Sequence, residues 1–383
     1  MMIFRKLKRH DVRFFRGALV FLALTVLLPS CLVNQLNISP NDKLSPSTPT
    51  TRPVSRPNIS YGTDPLQKLD LYLPAVAPIG IIIFFHSGGW CCGDKAEIDP
   101  LTLSQIDRGY AVASVNYRLV SGTTDEGVLV DGISRREAPS SGTEVTAEMQ
   151  LADGDQAVRF IKAFWAWGYG RGKIIVSGRS SGGHIALLLA AAPGIFSGPG
   201  LGALAGVDPR VDGVFSNVGP SDFRPYVDGS LSDWGRGLVE AFLGCSNLGT
   251  VWPPATTTTS TTTTTSGVPS SSPTSTTTTL LAPPVPMPRC DPNRVLRLSP
   301  MFWAALTVFL GISSHLPPAY LAYGDQDTLV PPASQGIALH DVWASGGNFY
   351  ATYYDNPPLI GHSLSYEINA TLFNHWLDLY AAQ

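Results

Sequence analysis

The sequence predicts an α/β protein with a mostly parallel central β-sheet and helices on both faces. Short apolar runs alternate along the chain with segments whose apolar residues recur at helical spacing, which is typical of parallel sheets. Ile79 to Phe85 is continuously apolar, as expected for a strand buried on both faces. Ile174 to Val176 lead directly into a glycine-rich turn, and an apolar helical run from Ile185 to Ala191 follows it.

The other elements continue this alternation. Tyr61 to Leu73 partly alternates apolar and polar residues, which predicts an antiparallel edge strand. Leu119 to Gln150 is polar and long enough to form a loop or a lid over a site. The further predicted strands are Ala111–Val115, Val211–Phe215, Ala319–Tyr323 and Phe349–Tyr354, and the further predicted helices are Asp153–Trp167, Trp234–Leu243, Ser299–Leu310, Ser334–Ala344 and Leu364–Tyr380.

The amino terminus predicts export from the cytoplasm. A basic start precedes an uncharged apolar run from Ala18 to Leu28, which is too short to cross a membrane comfortably and fits the core of an export signal. The segment Leu28-Pro29-Ser30-Cys31 resembles a bacterial lipobox, which would make Cys31 a lipidation site. We therefore interpret residues 1–31 as an export signal, a lipoprotein signal or a membrane anchor. Membrane attachment in the cell envelope is expected, with secretion as the alternative.

Composition indicates two segments with little to bury. Residues 32–58 are rich in Pro, Ser, Thr and Asn and predict a flexible tether. One globular domain then spans 59–383, and a Thr/Ser/Pro-rich insertion at about 252–289, expected to be disordered, interrupts it. Cys245 and Cys290 flank the insertion, so a disulfide there would close its base. The adjacent Cys91 and Cys92 are interpreted as small buried hydrophobic residues.

Charge and spacing exclude some functions. The formal net charge of −3 argues against a nucleic-acid partner. The Cys and His spacings predict no zinc site, and the chemistry considered below requires no metal and no cofactor.

The motif Gly178-Arg179-Ser180-Ser181-Gly182 predicts a nucleophilic serine. Between a strand and a helix, G-x-S-x-G forms a sharp turn that exposes the serine hydroxyl, and its glycines let strand and helix approach. Ser180 is the predicted nucleophile. Of the seven histidines, His362 lies in a late loop after the last predicted strand, where the chain order Ser…Asp…His places the base; the alternative is a histidine in an ordinary turn.

The acid has three candidates. Asp327 and Asp325 follow the penultimate strand, and Asp222 follows the Val211 strand; Asp327 is preferred, with Asp325 expected to brace the loop. Backbone N–H groups of Ser181, Gly88 and Gly89 are the predicted donors to an oxyanion. All these segments follow strands, and ligands of parallel sheets bind beyond the strands' carboxyl ends.

The chain resembles the α/β-hydrolase superfamily, most closely its esterase/lipase branch with an HGGGW-type oxyanion loop, the feruloyl-esterase-like and carboxylesterase groups of bacteria. The resemblance is carried by HSGGW (86–90), NYR (116–118), GRSSGGH (178–184), GDQDTLVP (324–331) and GHS (361–363), with Ser87 in place of a glycine and Ser181 in place of the usual alanine. It implies an α/β-hydrolase fold with about eight strands. It also implies the triad Ser180, Asp327 and His362, and an oxyanion hole of Gly88, Gly89 and Ser181.

These observations predict an exported serine hydrolase that cleaves small-molecule carboxylic esters through an acyl-enzyme. An amidase, formamidase or peptidase with the same triad is one alternative. A non-catalytic protein of the same fold that binds the cell envelope is another.

Overall fold

A computed structural model describes residues 54–120, 145–168, 172–231, 233–247, 288–312, 316–348, 352–362 and 370–381. Within these residues, eight strands form one sheet in the order β1-β2-β4-β3-β5-β6-β7-β8. The pairs β1–β2 and β2–β4 are antiparallel, and the other neighbours are parallel. The predicted α/β architecture is therefore confirmed. The strands are β1 (Val54–Ser60), β2 (Lys68–Leu73), β3 (Gly80–Phe85), β4 (Tyr110–Val115), β5 (Lys173–Arg179), β6 (Gly213–Asn217), β7 (Ala319–Ala322) and β8 (Thr352–Asp355).

Helices cover both faces of the sheet, and none of those described is long and apolar enough to cross a membrane. The α-helices are α1 (Pro100–Ser104), α2 (Ala147–Gly168), α3 (Ser181–Ala191), α4 (Arg224–Val227), α5 (Asp233–Leu243), α6 (Pro292–Arg297), α7 (Pro300–Phe309), α8 (Ala338–Trp343) and α9 (Ala370–Trp376). Two 3₁₀ segments (Gln105–Arg108, Gly202–Gly206) and three π-helical segments (Ala333–Ile337, Ala344–Asn348, Leu377–Ala381) complete the helical structure described.

The sheet begins earlier than the sequence predicted. Residues 54–58, interpreted as the end of the tether, belong to β1, so β1 and not the Tyr61–Leu73 segment is the edge strand. Pairing with β2 shifts register between Arg56 and Ile59, around Pro57. Proline has no N–H to donate and is tolerated at an edge strand or a bulge. A composition rich in Pro and Ser therefore did not prevent strand pairing here.

The helix before β5 also begins earlier, at Ala147 rather than Asp153. The first turn of α2 buries Ala147 and Leu151 fully. Gln150 is buried as well, and its side-chain amide donates a 2.6 Å hydrogen bond to the Trp90 carbonyl oxygen. Buried polar groups need such partners, and this hydrogen bond supplies one for the side-chain nitrogen of a residue predicted to lie in a loop. The rest of the predicted connection, 121–144, lies outside the described residues, as do residues 1–53 and 248–287.

The most buried elements surround the middle of the sheet. Every residue of β3 is buried, and so is every residue of α3, the helix that follows β5. In the parallel pairing Phe85 is opposite Gly178, so the segment after β3 starts beside the turn after β5. The carboxyl ends of β3, β5, β6, β7 and β8 all lie at one edge of the sheet, and the loops leaving them meet there.

Candidate active site

The turn between β5 and α3 holds Ser180 in a strained conformation. Its φ of 52° is in the left-handed region, which is uncommon for a residue with a side chain and is frequent at functional sites. A Cβ atom at Gly182 would overlap the Phe85 carbonyl oxygen, so β3 and α3 approach closely only because this residue is glycine. The Ser180 N–H donates to the Asn217 carbonyl oxygen at 2.8 Å, which fixes the turn against β6.

Three side chains far apart in sequence meet at this serine. The Ser180 Oγ and His362 Nε2 atoms are 2.9 Å apart. On the other side of the ring, His362 Nδ1 is 2.8 Å from Asp327 Oδ2. The second oxygen of Asp327 accepts hydrogen bonds from the N–H groups of Leu329 (2.9 Å) and Val330 (2.8 Å). The Asp327 side chain is fully buried and that of His362 is 10% exposed, so the carboxylate is shielded from water while the imidazole reaches the hydroxyl.

The other two acid candidates have different contacts. Asp325 Oδ1 accepts a 3.2 Å hydrogen bond from the Ile360 N–H, which braces the loop carrying His362. Asp222 forms an ion pair with Arg224 at 2.6 Å. Of the three candidates, the structure brings only Asp327 to His362.

The predicted oxyanion donors belong to segments that leave the ends of two paired strands, β3 and β5. Gly88 and Gly89 follow β3 with φ values of 124° and 56°, and Ser181 is the first residue of α3. A Cβ at Gly88 would overlap the backbone of Cys92, so its conformation and its packing both require glycine. The helix amino terminus adds a favourable field for negative charge. Ser181 directly follows Ser180, and Gly88 and Gly89 leave the strand that pairs with the strand before Ser180.

The buried His184 of α3 connects the segment after β3, through Trp90, to the segment before α7, through Leu298. Trp90 Nε1 donates to His184 Nδ1 at 3.2 Å, and His184 Nε2 is 2.8 Å from the Leu298 carbonyl oxygen. Both contacts are satisfied when His184 is neutral and protonated on Nε2. Burial lowers the pKa of His184 from 6.5 to about 3, which maintains that neutral form. Phe242 of α5 stacks on Trp90 with ring centroids 4.5 Å apart, so α5 is packed against the turn.

Several positioning residues were not recognised in the sequence. Asn217, at the end of β6, accepts from Ser180 and donates through Nδ2 to the buried Asp99 at 3.1 Å. Tyr117 donates to the His86 carbonyl oxygen at 3.0 Å and stacks on the His86 ring. Burial lowers the pKa of His86 to about 4. The signal available for Asn217 and Tyr117 was their position at or just after a strand end.

The four cysteines within the described residues fall into two pairs. Cys245 and Cys290 are joined by a disulfide. Cys91 and Cys92 are buried thiols, as the sequence interpretation expected. Cys31, the predicted lipidation site, lies outside the described residues. Among the residues described, no group of three or more His, Cys, Asp or Glu side chains has a metal-binding arrangement.

Topology and site define an α/β-hydrolase fold, and solved structures share it. A truncated carbohydrate esterase from gut microbiota aligns with a TM-score of 0.56 and 17% identity, over 86% of this chain and 99% of that one. The propionate-bound esterase Est2 from Thermogutta terrifontis aligns with a TM-score of 0.53 and 18% identity, over 86% of this chain and 94% of that one. At such identities the likeness shows the fold alone.

Sequence comparison gives the more particular relationship. Residues 69–131 match the BD-FAE family model, an α/β-hydrolase family of the esterase type. The chain is 28% identical to isoprenylcysteine alpha-carbonyl methylesterase ICME of Arabidopsis thaliana over 136 residues. This alignment covers 34% of this chain and 26% of that protein. A probable methylesterase of Oryza sativa subsp. japonica is 27% identical over 132 residues. The chain spans about a quarter of the length of these two relatives. Fold and topology together are those of an α/β-hydrolase.

Proposed function

We propose that this chain is a serine hydrolase that cleaves carboxylic esters of small molecules through an acyl-enzyme. The observation that carries the proposal is the continuous hydrogen-bonded chain from Ser180 through His362 to Asp327, with contacts of 2.9 and 2.8 Å. The names of the methylesterase relatives and the BD-FAE match support ester cleavage in particular.

In the proposed reaction, His362 Nε2 takes the Ser180 proton as the oxygen attacks the ester carbonyl carbon. Asp327 holds the proton on Nδ1, which leaves Nε2 free to accept, and it stabilises the imidazolium that forms. The carbonyl oxygen becomes an anion facing the N–H groups of Gly88, Gly89 and Ser181. Each such donor is worth about 2.7–4 kcal/mol of transition-state stabilisation.

The tetrahedral intermediate then collapses. His362 returns its proton to the leaving alkoxide, the alcohol departs, and the acyl group remains on Ser180. A water molecule, deprotonated by His362, attacks the acyl-enzyme and releases the carboxylic acid. His362 acts as base and then as acid in each half, so one imidazole within reach of the hydroxyl suffices.

The test is hydrolysis of p-nitrophenyl acetate and of its matched anilide by the purified protein. We expect turnover of the ester, with Ser180→Ala reduced to the background rate. Preferential cleavage of the anilide would favour the amidase alternative. Full activity in Ser180→Ala would overturn the mechanism.

We further propose that the protein is exported and held in the cell envelope through residues 1–31, with 32–53 as a tether. The basic start, the apolar run and Cys31 support this proposal, and so does the disulfide Cys245–Cys290, because disulfides persist in oxidising compartments. Mass spectrometry of the mature amino terminus tests it. A diacylglycerol adduct on Cys31 is the expected result, and an intact unprocessed Met1 in a cytoplasmic fraction would contradict it.

A further inference from the structure

Two neighbouring thiols lie in the turn that carries the oxyanion donors. The Sγ atoms of Cys91 and Cys92 are 2.8 Å apart. Two sulfur atoms that are merely packed together would stand well beyond this distance, whereas a disulfide joins them at about 2.05 Å. Both residues are buried, at 6% and 9% exposed.

The rest of the chain indicates an oxidising environment. Cys245 and Cys290 form a disulfide, and such bonds persist where the surroundings are oxidising. A second thiol pair in the same molecule, with its sulfurs already this close, meets the same oxidants. Because the two Sγ atoms are 2.8 Å apart, the side chains need to move little for a disulfide to form.

We propose that Cys91 and Cys92 are a redox modification site, closing reversibly into a disulfide between adjacent residues. With glutathione disulfide as the oxidant, the thiolate of one cysteine attacks its S–S bond and releases one glutathione. The second thiolate attacks the mixed disulfide, forms the Cys91–Cys92 bond and releases the other glutathione. The protein loses two protons and two electrons, and glutathione disulfide gains them as two thiols.

Ring strain makes this bond easy to reduce. Consecutive Cα atoms across a trans peptide are 3.80 Å apart, whereas disulfides usually join residues whose Cα atoms are about 4.4–6.8 Å apart. Strained disulfides have more oxidising potentials and are reduced before structural ones. The Cα atoms of Cys245 and Cys290 are 4.9 Å apart, within the usual range. The Cys91–Cys92 bond should therefore open under conditions that leave the Cys245–Cys290 bond intact.

Closure of the ring acts on Gly88. The N–H groups of Cys91 and Cys92 both donate to the Gly88 carbonyl oxygen, at 3.2 and 3.0 Å. The Cys92 backbone also packs where a Gly88 side chain would lie. A change of the Cys91–Cys92 peptide therefore displaces the peptide that presents an oxyanion donor. We expect the oxidised protein to have a lower kcat; this consequence rests on the proposed ester hydrolysis, whereas bond formation does not.

The experiment equilibrates the full-length protein in glutathione buffers of increasing oxidised fraction and maps its thiols. In the oxidised buffers the peptide containing Cys91 and Cys92 should lose the mass of two hydrogen atoms and resist alkylation after denaturation. Mild reduction should restore both thiols before Cys245 and Cys290 become alkylated. Complete alkylation of Cys91 and Cys92 in the most oxidising buffer would overturn the proposal, and so would a lasting glutathione adduct.

Activity is measured on the same samples with p-nitrophenyl acetate. Oxidation should lower kcat at least tenfold in the wild type and leave the double variant Cys91→Ala/Cys92→Ala unaffected, because it has no thiol at this site. The second double variant, Cys91→Ser/Cys92→Ser, guards against one that fails to fold. Equal kcat in the oxidised and reduced wild type would refute the effect on Gly88. Absence of hydrolysis even in the reduced protein would overturn the proposed function, while the mass shift would still decide the modification.

Discussion

Replacing Asp327 by asparagine tests the proposed triad with little change in shape. The Asp327 Oδ1 atom accepts from two backbone N–H groups, and Oδ2 contacts His362 Nδ1. In Asp327→Asn the amide oxygen must take the Oδ1 place, because only an acceptor fits there. The amide NH₂ then faces Nδ1 and can only donate. His362 must carry its proton on Nε2, the atom that should accept from Ser180.

The wrong tautomer removes the general base. In a serine protease, the same replacement lowers kcat by about 10⁴. With similar geometry here, we expect a loss of about 10⁴, which corresponds to about 5 kcal/mol of transition-state stabilisation. KM should change little, because Asp327 is fully buried behind the imidazole.

The assay is kcat for p-nitrophenyl acetate near neutral pH, with circular dichroism to confirm folding. Asp325→Asn is the matched control, because it lies two residues away and its Oδ1 accepts from the Ile360 N–H, a contact that asparagine retains. Its other contact is an exposed 3.3 Å hydrogen bond that Oδ2 accepts from the Gln326 side-chain amide. We expect the control to stay within a few-fold of the wild type. A folded Asp327→Asn protein with kcat within tenfold of the wild type would refute the proposed role of Asp327.

Three further predictions address the surroundings of the site. Gly88→Ala should lower kcat more than 100-fold, because the new Cβ atom would overlap rigid backbone. Gly89→Ala should have a smaller effect, because its new Cβ atom meets only the end of a leucine side chain, 2.9 Å away. Measurements of kcat and of melting temperature on both variants test this. His184 is neutral when folded, so the unfolded chain binds more protons below pH 6.5 and stability falls as the solution is acidified. In urea titrations, the free energy of unfolding should fall between pH 7 and pH 5, and this fall should be about 2 kcal/mol smaller in His184→Gln than in the wild type. An equal fall in both proteins would contradict the lowered pKa of His184. The variant Cys245→Ser/Cys290→Ser lacks the disulfide and should have a free energy of unfolding lower by about 4 kcal/mol, because the bond closes a loop with a sequence separation of 45. An unchanged stability in urea would refute this.

Local sequence patterns predicted much of this fold because parallel strands are continuously apolar. The run from Ile79 to Phe85 and the strand before Ser180 could be recognised without tertiary information. Strand β1 was not predicted because it is held by backbone hydrogen bonds to β2. The residue types of this segment, which contains Pro57, do not indicate such pairing. The first turn of α2 was missed for a similar reason, since Gln150 is polar but finds a buried acceptor.

The candidate site could be approached because chain order and strand ends restrict it. His362 was chosen from seven histidines by its position after the last strand, and the structure places it at Ser180. The turn sequence already favours Asp327 over Asp325, and the coordinates agree, since the Asp327 side chain contacts the His362 ring while that of Asp325 contacts the Ile360 N–H. The contact of Trp90 with His184 joins residues 94 apart, and nothing local in the sequence indicates it.

Covalent labelling by a fluorophosphonate tests the central claim most directly, because the reagent reacts only with an activated serine. We expect one adduct, located on the peptide containing Ser180, in the wild type at neutral pH. His362→Ala should label far more slowly, and Ser180→Ala should not label at all. A wild-type protein that remains unlabelled, or that carries its adduct on a different serine, would contradict the proposal that Ser180 is the nucleophile.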